Sequence, residues 1–252
     1  MSKSIKMIVP VPLPEAALAN FAAQIPPDLL EPEFPITFVA VRNGPMLADS
    51  YYEMLLFDAA VLDAGQKAEE EGFAAVCINT MSDSGLNALR SRLTIPVIGP
   101  AQTAFLLACS LGKKFSVLTM WPQWFPLYEK TLTEQGLHHR LASLRSIDMR
   151  PDTEELLAGK EEIAFRRLLE EGNKAVAEDG ADVVILGSTT MHQSHRYLAE
   201  HLPVPVINPG LVAYGMCRML LTLGLSHSKR AYPSPERLSD HILASIPSVY
   251  QE

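Results

Sequence analysis

Cysteine is scarce in this chain. It has three, Cys77, Cys109 and Cys217, an odd number at spacings that match no metal-binding template. Each lies in an apolar run, so each reads as a small buried hydrophobe; a disulfide framework is not expected and a reducing cytoplasm fits. Basic clusters are missing too. Lys and Arg number 21 against 29 Asp and Glu, a net charge of −8, which argues against a nucleic-acid or anionic-membrane partner. No apolar run is long: the longest, Leu211 to Leu225, is interrupted by Arg218 and falls short of the ~20 residues of a spanning helix. Lys3 and Lys6 precede only a short apolar stretch broken by Pro10, Pro12 and Pro14, which is not a signal-peptide pattern. Low-complexity segments are absent. With 252 residues, 48% of them hydrophobic, the chain has the material for a large core, as one big domain or two coupled lobes.

What is present is an internal echo. Asp179-Gly180-Ala181-Asp182-Val183-Val184-Ile185-Leu186-Gly187-Ser188-Thr189-Thr190-Met191 answers Glu71-Gly72-Phe73-Ala74-Ala75-Val76-Cys77-Ile78-Asn79-Thr80-Met81-Ser82. Each begins with an acidic residue and Gly, continues as an apolar run too short for a helix, and ends in small hydroxyl residues. Downstream, Ile95-Pro96-Val97-Ile98-Gly99-Pro100 is answered by Val204-Pro205-Val206-Ile207-Asn208-Pro209. Such repetition sets the fold, so the chain reads as two related halves.

Apolar strand-like runs alternate with helical patterns. Strands are predicted at Ile5 to Val9, Pro35 to Val41, Ala74 to Asn79, Val97-Ile98, Phe115 to Thr119, Leu144 to Met149, the run before Ser188, and Pro205 to Ile207. Helices are predicted over Glu15 to Gln24, Tyr52 to Glu71, Ser84 to Arg92, Ala101 to Leu111, Glu129 to Gln135, Thr153 to Glu178, His192 to His201, Leu211 to Leu223 and Pro235 to Ile246. Continuous apolar strands between helices imply an α/β fold: two pseudo-symmetric lobes, each a mainly parallel sheet flanked by helices. The expected division is 1–98 plus 208–252, and 99–207. Ligands of open α/β sheets bind beyond the carboxyl ends of the strands, so the active site is expected in the cleft between the lobes.

The hydroxyl loops lie at those strand ends. Asn79, Thr80, Ser82, Ser188, Thr189 and Thr190, with main-chain N–H groups, could cradle a carboxylate or a developing enolate oxygen. They could equally be helix caps and turn formers. Of the titratable groups nearby, His192 has the ordinary pKa, ~6.5, of an acid–base catalyst at neutral pH, or is an exposed first-turn residue. Asp83 is a base or an N-cap. His192 and His195 are spaced i, i+3 without a third ligand, so no metal is expected. Trp121, Trp124, Phe125 and Tyr128 either line an apolar pocket or form lobe-interface core.

Gly44-Pro45 with Ser50-Tyr51-Tyr52-Glu53, then Asp83-Ser84-Gly85-Leu86 with Arg90, Ile95 to Gly99, Lys114 to Thr119, Val184 to Ser188 and Pro203 to Ile207 together resemble the aspartate/glutamate/hydantoin racemase superfamily, most of all its hydantoin and allantoin racemase branch. The resemblance covers nearly the whole chain. It implies two α/β lobes, a homo-oligomer, no cofactor, and a small anionic or hydantoin-like substrate. It also implies a cysteine in each lobe that removes and returns a proton at the substrate α-carbon. The matching positions here are Thr80 and Ser188, so both cysteines are replaced. Thr119 matches a substrate-binding position.

A free thiol, pKa about 8.5, is readily activated to a thiolate, whereas an aliphatic hydroxyl needs an adjacent base. Ordinary two-cysteine racemisation is therefore not expected. What is expected is an isomerase-like enzyme acting through an enolate-like intermediate. A decarboxylase, lyase or hydrolase that uses Ser188 or Thr80 with His192 or Asp83 is an alternative. Arylmalonate decarboxylases of the same superfamily need only one of the two cysteines. Two further alternatives are an inactive small-anion-binding homologue and a base supplied by a partner chain or metal.

Overall fold

The computed structural model describes residues 3–151 and 161–248. It contains two parallel four-stranded sheets of an α/β fold. The strands of the first are β1 (Ile5–Val9), β2 (Ile36–Ala40), β3 (Ala75–Ile78) and β4 (Val97–Ile98), in the order β2-β1-β3-β4. The second is built from β5 (Phe115–Thr119), β6 (Leu141–Ser146), β7 (Val183–Leu186) and β8 (Val206–Ile207), in the order β6-β5-β7-β8. The topology of one is that of the other. The chain divides into two compact units, Met1–Pro100 with Ala213–Glu252, and Ala101–Val212.

The helices are α1 (Glu15–Ala22), α2 (Tyr51–Gly65), α3 (Leu86–Arg92), α4 (Pro100–Leu111), α5 (Phe125–Gln135), α6 (Glu161–Ala177), α7 (Ser194–His201), α8 (Pro209–Leu223) and the short α9 (His241–Ala244). Among the described residues no helix is long and apolar enough to cross a membrane.

The central strands β1, β3, β5 and β7 are buried along their whole length. That explains their unbroken apolar runs, since a parallel sheet is covered on both faces. Lys6 is the exception in β1. Its ammonium is buried but paired with Glu71 at 2.5 Å, which compensates part of its desolvation. In the first unit Ile8, Val61, Val76, Ile78 and Leu89 pack together; in the second Leu118, Leu168, Val184, Leu186 and Leu198 do. Equivalent bonds close the two ladders: Val76 N–H donates to Pro96 O and Val184 N–H to Pro205 O, both at 2.9 Å.

Several boundaries differ from the sequence expectation. The helix predicted over Tyr52 to Glu71 ends at Gly65 and continues as turns. There the Glu69 carboxylate accepts from the Thr94 and Ile95 N–H groups at 2.6 and 2.8 Å. The strand predicted at Leu144 to Met149 is Leu141–Ser146. The helix over His192 to His201 begins only at Ser194, after a 3-10 turn, Thr189–Gln193. Of the helix predicted over Thr153 to Glu178, residues 153–160 lie outside the described residues.

The helix predicted over Pro235 to Ile246 shrinks to α9, because this segment is a strap bonded to the first unit. Lys229 Nζ donates to the Arg90 and Ser91 carbonyls at 2.8 and 2.9 Å. Arg92 pairs with Asp240 at 2.8 Å, and Arg42 donates to the Leu243 and Ile246 carbonyls. Arg42 thus takes carbonyls of the strap, while Lys229 reaches out of the strap to carbonyls of α3.

The strap also covers β4, the last strand of its sheet. Val97 N–H donates to His227 Nε2 at 2.9 Å. Nitrogen that accepts carries no proton, and burial first, with Arg90 second, pulls the His227 pKa down to about 4. The unfolded chain takes up the proton near the ordinary pH of ~6.5, while the folded chain takes it up only near pH 4. This contribution is therefore complete above pH ~6.5 and is lost as the pH falls toward 4. Denaturant midpoints measured between pH 7 and 4 should decline more steeply for the wild type than for His227→Gln, which keeps an acceptor for Val97 without titrating.

Candidate active site

Two loops carry the hydroxyl residues, one in each unit, and each begins where the central ladder ends. In the first unit Asn79 N–H donates to Ile8 O at 2.8 Å; in the second Gly187 N–H donates to Leu118 O at 2.7 Å. One residue on, the side chains of Thr80 and Ser188 stand half-buried at the start of their loops.

From there the two loops repeat the same three contacts. The Thr80 hydroxyl lies 3.1 Å from that of Ser82, and the Ser188 hydroxyl 2.8 Å from that of Thr190. Ser82 N–H donates to Thr80 Oγ1 at 3.4 Å, and Thr190 N–H to Ser188 Oγ at 3.2 Å. Asp83 N–H donates to Thr80 O, and Met191 N–H to Ser188 O, both at 3.2 Å. A short hydroxyl side chain that accepts from its own backbone two residues on makes this turn. The cap-and-turn reading of these residues is thus realised in both loops, with the hydroxyls still half-exposed at the first position.

Beyond this point the loops diverge. In the first, Ser82 bonds onward to Ser84 at 2.7 Å, giving a row of three hydroxyls that runs inward from Thr80. Asp83 is only 2% exposed and adopts a left-handed backbone, φ 47°. It is not the N-cap of α3. That place is held by Gly85, whose N–H is taken by Asp58 Oδ1 at 2.8 Å. The Asp83 carboxylate instead covers Gly99, where a methyl group would stand 2.5 Å from the carboxyl carbon. Only glycine leaves room for it there. A carboxylate at this place, directly before α4, is favoured by the helix dipole. In the other half Asn208 replaces Gly99, and its own Oδ1 accepts from Gly210 and Leu211 N–H at 3.1 and 3.4 Å, ahead of α8.

In the second loop Thr189 is buried and Thr190 exposed. His192 lies on the 3-10 turn, half-buried. Its Nδ1 is sealed from solvent and has no hydrogen-bond partner. Burial foremost, and the neighbouring His195 next, lower its pKa. It is therefore neutral at pH 7. His195 points elsewhere, to Val206 O at 3.0 Å. Among the described residues no three His, Cys, Asp or Glu side chains gather as a metal site.

Thr119 ends β5 and is fully buried. Its hydroxyl lies 2.8 Å from Tyr128 Oη, which is also 2.7 Å from Gly187 O. The single phenolic proton serves either acceptor. Burial raises the Tyr128 pKa, so the phenol stays protonated. A methyl group on Gly187 would stand 2.6 Å from Tyr128 Oη and 2.8 Å from Thr119 Cβ. Tyr128 thus fixes the peptide that precedes Ser188, a role not read from the sequence, where it stood only as one of an aromatic group. Of that group Trp124 packs on the core of the second unit, and Trp121 meets it edge-on at 6.4 Å. Phe125 borders a groove of about 540 Å³ along β6 that no residue of either hydroxyl loop lines. Its floor is closed by Arg145, which pairs with Glu171, Glu178 and Asp179 at 3.0, 3.0 and 2.5 Å.

The thiols do not compensate for the hydroxyls. Cys77 and Cys217 are buried against one another between β3 and α8, and burial, then Cys77, pushes the Cys217 thiol up, away from the reactive thiolate.

The two parallel α/β units thus share one topology, and each carries a hydroxyl loop after its third strand. The family described as Asp/Glu/Hydantoin racemase matches residues 15–217, and the chain belongs to it. A hydantoin racemase from Pseudomonas sp. (strain NS671) is 32% identical over 208 residues, 80% of each chain. Among solved structures, allantoin racemases from Klebsiella pneumoniae and Pseudomonas fluorescens both superpose with a TM-score of 0.84. The first is 28% identical over 94% of this chain and 96% of its own, the second 26% over 94% and 98%.

Removing the phenol hydroxyl should loosen the second loop without touching its surface. Tyr128→Phe leaves the Gly187 carbonyl and the Thr119 hydroxyl without their shared partner, a cost of about 1–3 kcal/mol for a buried group left unsatisfied. Urea unfolding of the two proteins measures it; equal midpoints would show that the network contributes nothing.

Proposed function

We propose that this chain is a cofactor-independent, isomerase-like member of its family that works without cysteine. The substrate is a small carboxylate or cyclic amide, of which hydantoins and allantoin are the first candidates because relatives are named for racemising them. Thr80 and Ser188 stand where the two acid–base thiols are expected, and their hydroxyls bind substrate oxygen. Asn79, Ser82, Thr189 and Thr190 complete the two loops. The observation that carries this reading is the repetition of the same three contacts at Thr80 and Ser188, since only one member of each pair is needed to make a turn.

The proton at the α-carbon leaves to a neutral imidazole, that of His192. The electron pair left behind moves onto the adjacent carbonyl oxygen, and hydroxyl and main-chain N–H groups stabilise the enolate-like oxygen so formed. Return of the proton to the same face of the planar enolate gives exchange, and its delivery to the opposite face gives the isomer; neither step changes an oxidation state. Asp83, buried over Gly99, positions the first loop. Thr119, bonded to Tyr128, likewise positions the second.

Incubation in deuterated water with hydantoins, allantoin and substituted malonates, monitored by proton NMR, tests this. Exchange of the α-proton is expected, and His192→Ala should reduce it at least a hundredfold, the usual contribution of a general base. Loss of substrate without exchange would make the protein a lyase or hydrolase. Ligand-induced thermal stabilisation without turnover would make it a binding homologue. The pH profile is a second check. Because the His192 pKa is lowered, the acid limb of the rate should fall below the ordinary ~6.5. A limb above that value would exclude His192 as the base.

A further inference from the structure

We infer that the free edge of β6 is a docking strand for an extended segment of a partner protein in which apolar and basic residues alternate. β6 lies at the end of its sheet and pairs with β5. Ile147 N–H donates to Thr119 O at 3.1 Å, so Arg145, two residues back, also faces β5. Leu144 and Ser146 therefore turn their N–H and C=O groups outward, the open row that an edge strand offers. Among the described residues nothing bonds these groups. The edge of β4 is capped by His227, whereas a groove of about 540 Å³ runs along β6.

The two walls of the groove belong to opposite faces of the sheet. Tyr128 of α5 meets Thr119, whereas Leu168 of α6 packs with Leu118, and neighbours along a strand face opposite ways. The α5 side brings Pro122 and Phe125; the α6 side brings Glu171 and, just past the helix, Asp179. Arg145 meets three carboxylates there, and Lys174 reaches the other oxygen of Glu171 at 2.6 Å. Asp148, which also lines the groove, has no ion pair among the described residues. Four carboxylates thus face two cations, and the surplus is negative.

An extended chain laid along β6 bonds to the outward groups and sends successive side chains to opposite walls. Apolar ones meet Pro122 and Phe125, and basic ones meet Glu171, Asp179 and Asp148. A second copy of this chain is the poorer occupant, since it brings the same surplus of carboxylates against its like.

Calorimetric titration of the full chain with a hexapeptide that alternates valine with lysine or arginine tests this. Saturable binding is expected, weakening as salt is raised. A peptide of the same composition, with its valines in one block and its cations in another, should bind about tenfold more weakly. Leu144→Pro removes an outward N–H and spares the ladder to β5; it should lower the affinity about tenfold, the loss of one main-chain bond. Asp148→Asn, which suits the left-handed backbone at φ 52°, should lower it roughly threefold and leave the circular-dichroism melt unchanged. No binding, equal binding of the two peptides, or affinity indifferent to Asp148→Asn would overturn the inference. So would a change in the light-scattering mass of the protein alone on Leu144→Pro, which would make this edge a contact between copies.

Discussion

The last hydrogen bond of each central ladder governs the loop beyond it. Once Asn79 has reached Ile8 O and Gly187 has reached Leu118 O, the parallel partner strand supplies no further acceptor. The next residue must find its bonds locally, and a threonine in one unit and a serine in the other do so with the same turn. Their side chains consequently stand at the rim of the sheet, half in solvent, where main-chain N–H groups are also concentrated. The strand end sets the turn, and the turn sets the hydroxyl.

The sheet edge is treated differently. β4 is covered by the strap, with His227 supplying the acceptor for Val97, so that an exposed row of backbone donors is not left as a template for pairing. The two thiols buried together in the first unit fit the same logic. They fill core space as small hydrophobes.

The strands were legible because parallel strands buried on both faces read as short apolar runs; Ile5 to Val9 and Phe115 to Thr119 match to the residue. The echo between Asn79-Thr80 and Gly187-Ser188 pointed to the two loops and their equivalence. Contacts between segments distant in sequence were not legible. Nothing local to Asp83 announces that its carboxylate lies over Gly99, although the exchange of Gly99 for Asn208 in the echo was the available sign. Tyr128 hid in a tryptophan-rich stretch, because its partner Gly187 lies 59 residues away. The helix over Pro235 to Ile246 failed for the same reason: Arg42 and Arg92, far away in sequence, bond to the Leu243 carbonyl and to Asp240.

The central claim is that Thr80 and Ser188 occupy the two acid–base positions of a scaffold that is otherwise competent. The most direct measurement is the loss of optical rotation of an enantiopure hydantoin or allantoin in the presence of the double variant Thr80→Cys/Ser188→Cys. Racemisation well above that of the wild type, lost again when either cysteine is reverted, is the predicted result. A folded double variant no faster than the wild type would contradict the account.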